Sequence, residues 1–155
     1  MKLTLVDHEI DSCRAHIATT TAGGSEVEAF LTRYLLVRIY AAFEEQIESL
    51  LASRIATTAD RPVQEFAKHC VDKVFRSIKI SEIAGLLGKF GPTCKAEFSS
   101  RVTGTVAETM FGNIVLNRHQ VAHQTPPAMT LEELVRAYEE AHKVLDAIDE
   151  ALRAV

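Results

Sequence analysis

The chain has 155 residues, with 17 Lys+Arg against 21 Asp+Glu and a formal net charge of -4. At 47% hydrophobic and 25% charged residues, the composition excludes a disordered chain, a collagen-like repeat and a disulfide-dense mini-protein. The length suits one domain over 1–155 with a real core, and the mild acidity excludes a wholly basic nucleic-acid binder while leaving room for a local basic cleft.

Apolar residues recur at spacings of three and four nearly everywhere, which predicts an all-helical chain. A first helix is expected over about 6–18, before the break at Gly23-Gly24. Ser25 with Glu28 reads as a capping box that opens a long second helix to about Ile55. Its stretch 34–43 is apolar on every side except at Arg38, so it must be covered all round, by its own domain or by a second subunit. Glu44-Glu45 then restores polarity.

Asp60 can cap a third helix with Pro62 in its first turn, continuing to Phe75. Ser81 starts a short fourth element that ends in Gly85, Gly88 and Gly91. Pro92 opens another short helix through Phe98, and Gly104 punctuates again. A long helix follows over about 105–123 and must end at Thr125-Pro126-Pro127. Thr130 with Glu133 forms a further capping box and starts a last amphipathic helix that runs to the C-terminus. The expected architecture is a bundle of about five to seven helices with a long central helix and a C-terminal antiparallel helix pair.

The first residues meet acid at Asp7 before any apolar run long enough for a secretory signal, and no stretch approaches the ~20 apolar residues that span a bilayer. Cys13, Cys70 and Cys94 are odd in number and far apart, without C-x-x-C. They read as free thiols of a cytoplasmic protein. Charge is uneven along the chain. Residues 61–123 carry nine Lys+Arg against five Asp+Glu, a balance of +4, and the remainder carries -8. Scattered solvated charge would explain this, but so would a basic surface that attracts phosphates by counterion release.

On a helical wheel at ~100° per residue, Val106, Ala107, Met110, Phe111, Ile114 and Val115 share one broad arc, and Arg118 falls near its middle. His119 and His123, four apart, stack on one flank; Arg118 and His123 diverge by about 140° and meet only at the edge of the buried face. A guanidinium cannot shed its proton, so something must face it. One answer is a structural ion pair with Glu44 or Glu45. The other is a bound phosphate, favoured by the two imidazoles beside it, which titrate near neutral pH. Such a trio suits metal-free RNA cleavage through the 2′-hydroxyl, with the arginine on the non-bridging oxygens. Arg118, His119 and His123 are the candidate catalytic residues; Asn117, Arg38, Glu44 and Glu45 are candidates for supporting or substrate-binding roles. His119-x-x-x-His123 also has zinc-ligand spacing, yet Gln120 stands where the H-E-x-x-H glutamate would be, so no metal or cofactor is expected. His8, His16, His69 and His142 are scattered.

The run Asn117-Arg118-His119-Gln120-Val121-Ala122-His123, late in a helix and followed by a loop and a final amphipathic helix, resembles the HEPN superfamily signature of an arginine, four to six residues and a histidine. The residues before it, Phe111-Gly112-Asn113-Ile114-Val115-Leu116, and Thr130-Leu131-Glu132-Glu133-Leu134 after it are similar to the RiboL-PSP-HEPN branch. The resemblance implies a helical bundle that homodimerises with two motif helices facing across a shared cleft. It implies a metal-independent endoribonuclease, a toxin or defence effector with RNA as substrate and a cognate antitoxin or neighbouring-gene protein as partner. In that pattern Arg118 and His123 are the catalytic pair and His119 the polar helper. Gln124 replaces a frequent glycine, and Thr125 stands where the nucleotidyltransferase-paired group carries a tyrosine, so adenylylation there is not expected. Many relatives bind RNA or partners without cutting, so the alternative is a non-catalytic helical module for dimerisation and binding.

Overall fold

A computed structural model describes residues 3–19, 26–75, 77–123 and 127–154. Among these residues every regular element is a helix: α1 (Thr4–Thr19), α2 (Glu26–Ile55), α3 (Arg61–Val74), α4 (Ile80–Phe90), α5 (Pro92–Val102), α6 (Val106–Ala122), α7 (Leu131–Ala141) and α8 (Lys143–Arg153). This is the all-α bundle that the periodicity predicts. The Gly23-Gly24 break and the Ser25 cap lie outside the described residues.

The caps explain where these helices begin. Asp60 accepts the Val63 amide, and Thr105 accepts the Glu108 amide. The Thr130–Glu133 capping box is complete, with each partner accepting the other's amide. Gly91 and Gly104 have φ of +139° and +76°, where a side chain would be strained. Gly85 and Gly88 do not end α4 as expected; they lie inside it, because an isolated glycine costs a helix only about 1 kcal/mol and the packing of Ile83, Leu86 and Leu87 outweighs that.

The last helix differs from expectation. It breaks at His142 into α7 and α8, and the break occupies one residue that keeps right-handed helical dihedrals (φ -62°, ψ -19°). The apolar pattern therefore runs through the break almost in phase. Counted as one bent rod, α7 and α8 bring the bundle to seven helices. α6 and α7 form the C-terminal pair, the most extensive packing of two helices in the fold.

α2 is the central rod. Thirty residues at 1.5 Å each make it about 45 Å long, and α1, α3, α6, α7 and α8 all pack on it. Phe43 stacks on Phe111 at 5.3 Å and on Tyr138 at 6.0 Å, joining α2, α6 and α7 in one aromatic layer. Tyr138 also donates its hydroxyl hydrogen to Asp7 at 2.8 Å, so α1 is tied to the same layer. The covering of α2 is one-sided. Leu35, Leu36, Ile39 and Phe43 are fully buried, but Val27, Phe30, Tyr34 and Val37 form an exposed stripe on the opposite face. The expectation of complete coverage thus fails within one subunit.

Candidate functional site

The site is built where α6 runs out of core. The buried side of α6 consists of Ala107, Phe111, Ile114 and Asn117, at helical spacing. Arg118 lies on that side too, as the wheel places it, but close to the C-terminal end of the helix, and it is half-buried rather than enclosed. Its guanidinium carbon sits 5.0 Å from the centre of the Tyr40 ring. A guanidinium over an aromatic face is held by the ring quadrupole and spends none of its in-plane N–H donors. Among the described residues no carboxylate pairs with Arg118. The ring itself responds to its surroundings: burial and then Glu44 push the Tyr40 hydroxyl pKa up, against the opposing pull of Arg118.

Arg118 and His119 line a cleft of about 490 Å³ between α2, α4 and α6. Its apolar walls are Ile80, Phe111, Val115 and Leu116. Ser77, Lys79, Ser81 and Glu108 add polar groups to the rim and walls. Glu108 is held in place, since its carboxylate accepts the Gly104 amide at 2.7 Å. His123 is not among the lining residues, but its ring meets that of His119 edge-on at 4.6 Å. Both histidines are exposed. The trio is thus continuous: Arg118 inside the cleft, His119 at its lip, and His123 just beyond as the C-cap of α6.

Asn117 supports this end of the helix. It is buried, donates from Nδ2 to the Asn113 carbonyl at 2.9 Å and accepts the Ala128 amide at 2.8 Å. One side chain therefore ties the chain that follows α6 back onto the last turns of that helix. Gln124 and Thr125 lie outside the described residues.

The other proposed helpers stand elsewhere. Arg38 makes an ion pair with Glu9 of α1 at 3.0 Å, which holds α1 to α2 and takes the guanidinium away from the cleft. Glu45 lines a separate cleft of about 440 Å³ between α2 and α3, with Glu48, Lys68 and Asp72. Glu44 comes close enough to act on Tyr40 but forms no ion pair with Arg118. Tyr40, Lys79, Ser77, Ser81 and Glu108 are the site residues that sequence reasoning missed. Lys79 was visible only as one base of the positive span, and Tyr40 only as one apolar residue of α2. No spacing rule links positions 40, 79 and 118.

Among the described residues no group of three or more His, Cys, Asp or Glu side chains is arranged to hold a metal ion. Cys13, Cys70 and Cys94 are free, and burial pushes the thiols of Cys13 and Cys94 above the usual range. Among the described residues no helix is long and apolar enough to cross a membrane. What the arrangement can do chemically is grip an anionic oxygen with unspent guanidinium donors beside two exposed proton carriers.

No curated protein and no solved structure matches the chain. One family does: RiboL-PSP-HEPN matches residues 7–154, a span that includes every residue of the cleft and of the Arg118–His123 turn. Over nearly its whole length, therefore, this chain belongs to the RiboL-PSP-HEPN family.

Proposed function

We propose that this protein is a metal-independent endoribonuclease that cleaves RNA by 2′-hydroxyl transphosphorylation, and that it works as a homodimer in which two α6 ends meet over the substrate. The observation that carries this reading is the Arg118 guanidinium, stacked on Tyr40 and unpaired among the described residues, facing an open cleft beside two imidazoles in contact.

The reaction needs three services. One imidazole, from His119 or His123 of either subunit, takes the proton of the 2′-hydroxyl. The freed oxygen attacks the adjacent phosphorus, and an O2′–P bond forms as the P–O5′ bond breaks. Arg118 holds the non-bridging oxygens while charge builds on them. A second imidazole returns a proton to the leaving 5′-oxygen. The products are a 2′,3′-cyclic phosphate and a 5′-hydroxyl, with no oxidant, metal or cofactor consumed. DNA lacks the attacking hydroxyl and stays intact.

Incubation of purified protein with single-stranded RNA in EDTA tests the reading. Fragments ending in 2′,3′-cyclic phosphate are expected, and sedimentation should report a dimer. Intact RNA, or equal cutting by Arg118→Ala and His123→Ala, removes it. In its biological form the proposal is a cytoplasmic toxin or defence effector restrained by a cognate partner. Expression should then arrest growth, and His123→Ala should relieve the arrest.

A second reading draws on a different surface. The exposed stripe Val27, Phe30, Tyr34 and Val37 suits a non-catalytic module that docks through α2. Under that reading expression is harmless, RNA survives, and substitution of Phe30 rather than His123 abolishes function.

A further inference from the structure

The cleft beside Arg118 has a second cationic wall that the proposed cleavage chemistry does not use. Lys79 lies opposite α6, at the residue that caps the start of α4. Its position is set by the turn: the Lys79 amide donates to the Ser77 hydroxyl at 3.2 Å, and Lys79 accepts the Ile83 amide through its carbonyl at 2.9 Å. Among the described residues no carboxylate forms an ion pair with Lys79. The described lining thus carries two unpaired cations, Lys79 and Arg118, against one carboxylate, Glu108, which already accepts the Gly104 amide.

The same cleft has apolar lining from Ile80 of α4 and from Phe111, Val115 and Leu116 of α6. A cleft of about 490 Å³ with apolar walls and a few convergent polar groups falls in the size range of small-molecule sites. A single charged end would suit a lone phosphate. Cations on two elements, α4 and α6, of a partly apolar cleft suit a unit with a phosphate at each end and a flat body with apolar faces between them. A nucleotide within a strand has that form.

The geometry points to Lys79 as a second phosphate-gripping residue: the nucleoside on the 3′ side of the scissile bond seats in the cleft, with Arg118 on the scissile phosphate, which is that nucleoside's 5′-phosphate, and Lys79 on its 3′-phosphate. This rests on the nuclease reading for the identity of the strand, but its test does not require cleavage. Lys79 is a positioning residue here and takes no part in proton transfer.

Adenosine and uridine 3′,5′-bisphosphates, titrated into the intact protein beside the corresponding 5′-monophosphates, separate the two cations. In at least one series the bisphosphate should bind about tenfold tighter, as expected for one added charge-assisted contact. Lys79→Ala should erase that difference and leave monophosphate binding nearly unchanged. Gly112→Leu provides a steric test. A Cβ at Gly112 meets no atom within 4 Å, and Gly112 lines the cleft, so leucine extends into open space without disturbing the helix. With an unchanged helical spectrum and a melting temperature no lower than that of the wild type, this variant should weaken both ligands. Equal affinities in both wild-type series, a difference that survives Lys79→Ala, or unaltered binding by Gly112→Leu overturns the inference. RNA cleavage without a bisphosphate preference sinks this inference alone. A bisphosphate preference without cleavage sinks the nuclease reading alone.

Discussion

Two of the clefts along α2 are nearly equal in size and opposite in character. The one toward α4 and α6 holds about 490 Å³ and presents Lys79, Arg118 and His119 against Glu108. The one toward α3 holds about 440 Å³ and presents Glu45, Glu48 and Asp72 against Lys68. Shape therefore does not mark the functional site. Local charge sets the potential a strand meets, so a polyanion should favour the first over the second. The support differs as well. The first cleft is walled by α6, whose Phe111 is fully buried in the aromatic layer, whereas α3 has no buried residue and leaves Phe66 71% exposed. A site that must place an imidazole near a phosphorus needs the stiffer wall.

The contrast is broken most sharply by removing the chemistry from the basic cleft. His123→Ala should lower the cleavage rate by roughly 10²–10⁴-fold, the usual worth of a positioned acid or base. Arg118→Ala should cost about 10²–10³-fold, by analogy with loss of an oxyanion donor. Both are read as initial rates on a labelled RNA in EDTA, and folded controls come from unchanged melting curves. Asn117→Ala acts one step back. It removes the part-buried hydrogen bond made by the amide of the exposed Ala128, so a loss of about 0.5–1.5 kcal/mol is expected in denaturant melts, together with slower cleavage as the last turn of α6 loosens. Retained stability would show that Asn117 does not latch this turn.

Salt dependence sharpens the comparison further. Lys79→Ala should reduce the slope of log affinity against log salt for RNA by about one, the signature of one lost phosphate contact. Glu48→Lys in the acidic cleft should strengthen binding only at low salt and leave the cleavage rate within about twofold, because no imidazole lines that cleft. A large gain in cleavage would place the substrate path on the wrong side of α2. The smallest effect concerns the cap beyond the pinned chain. The Thr130 amide and hydroxyl hold the Glu133 carboxyl below the usual carboxylate range. A carboxyl held low in the folded state stabilises it above its ordinary value of about 4.3, and that contribution fades as pH falls through the lower folded value. Melting temperatures should therefore drop on acidification below about pH 4.3, less steeply in Glu133→Gln.

Much of the fold was legible because it is written locally. Asp60, Thr105 and Thr130 start their helices as capping chemistry predicts, and Gly91 and Gly104 mark positions that only positive φ satisfies. The break at His142 was not legible, because one residue with helical dihedrals barely shifts the apolar phase. The proximity of Arg118, His119 and His123 was legible for a related reason: they lie at one helix end, where the wheel orders them without reference to the rest of the chain.

The amino-acid order alone was enough to make this chain helical, to place the caps at Asp60 and Thr130, and to set a guanidinium on the apolar side of α6 beside two imidazoles, because each of these depends on neighbours within about four residues. Whether that guanidinium meets an acid or an aromatic ring was a matter of tertiary structure. Glu44 and Tyr40 stand four apart on α2, and the packing of α2 against α6 selected Tyr40 as the partner beneath Arg118. The same packing sent Arg38 to Glu9 and brought Lys79 to the opposite wall. Side chains far apart in the chain become neighbours only when the burial of Phe43, Phe111 and Tyr138 fixes how the rods lie, and that burial carries no local signal of which polar groups it will bring together.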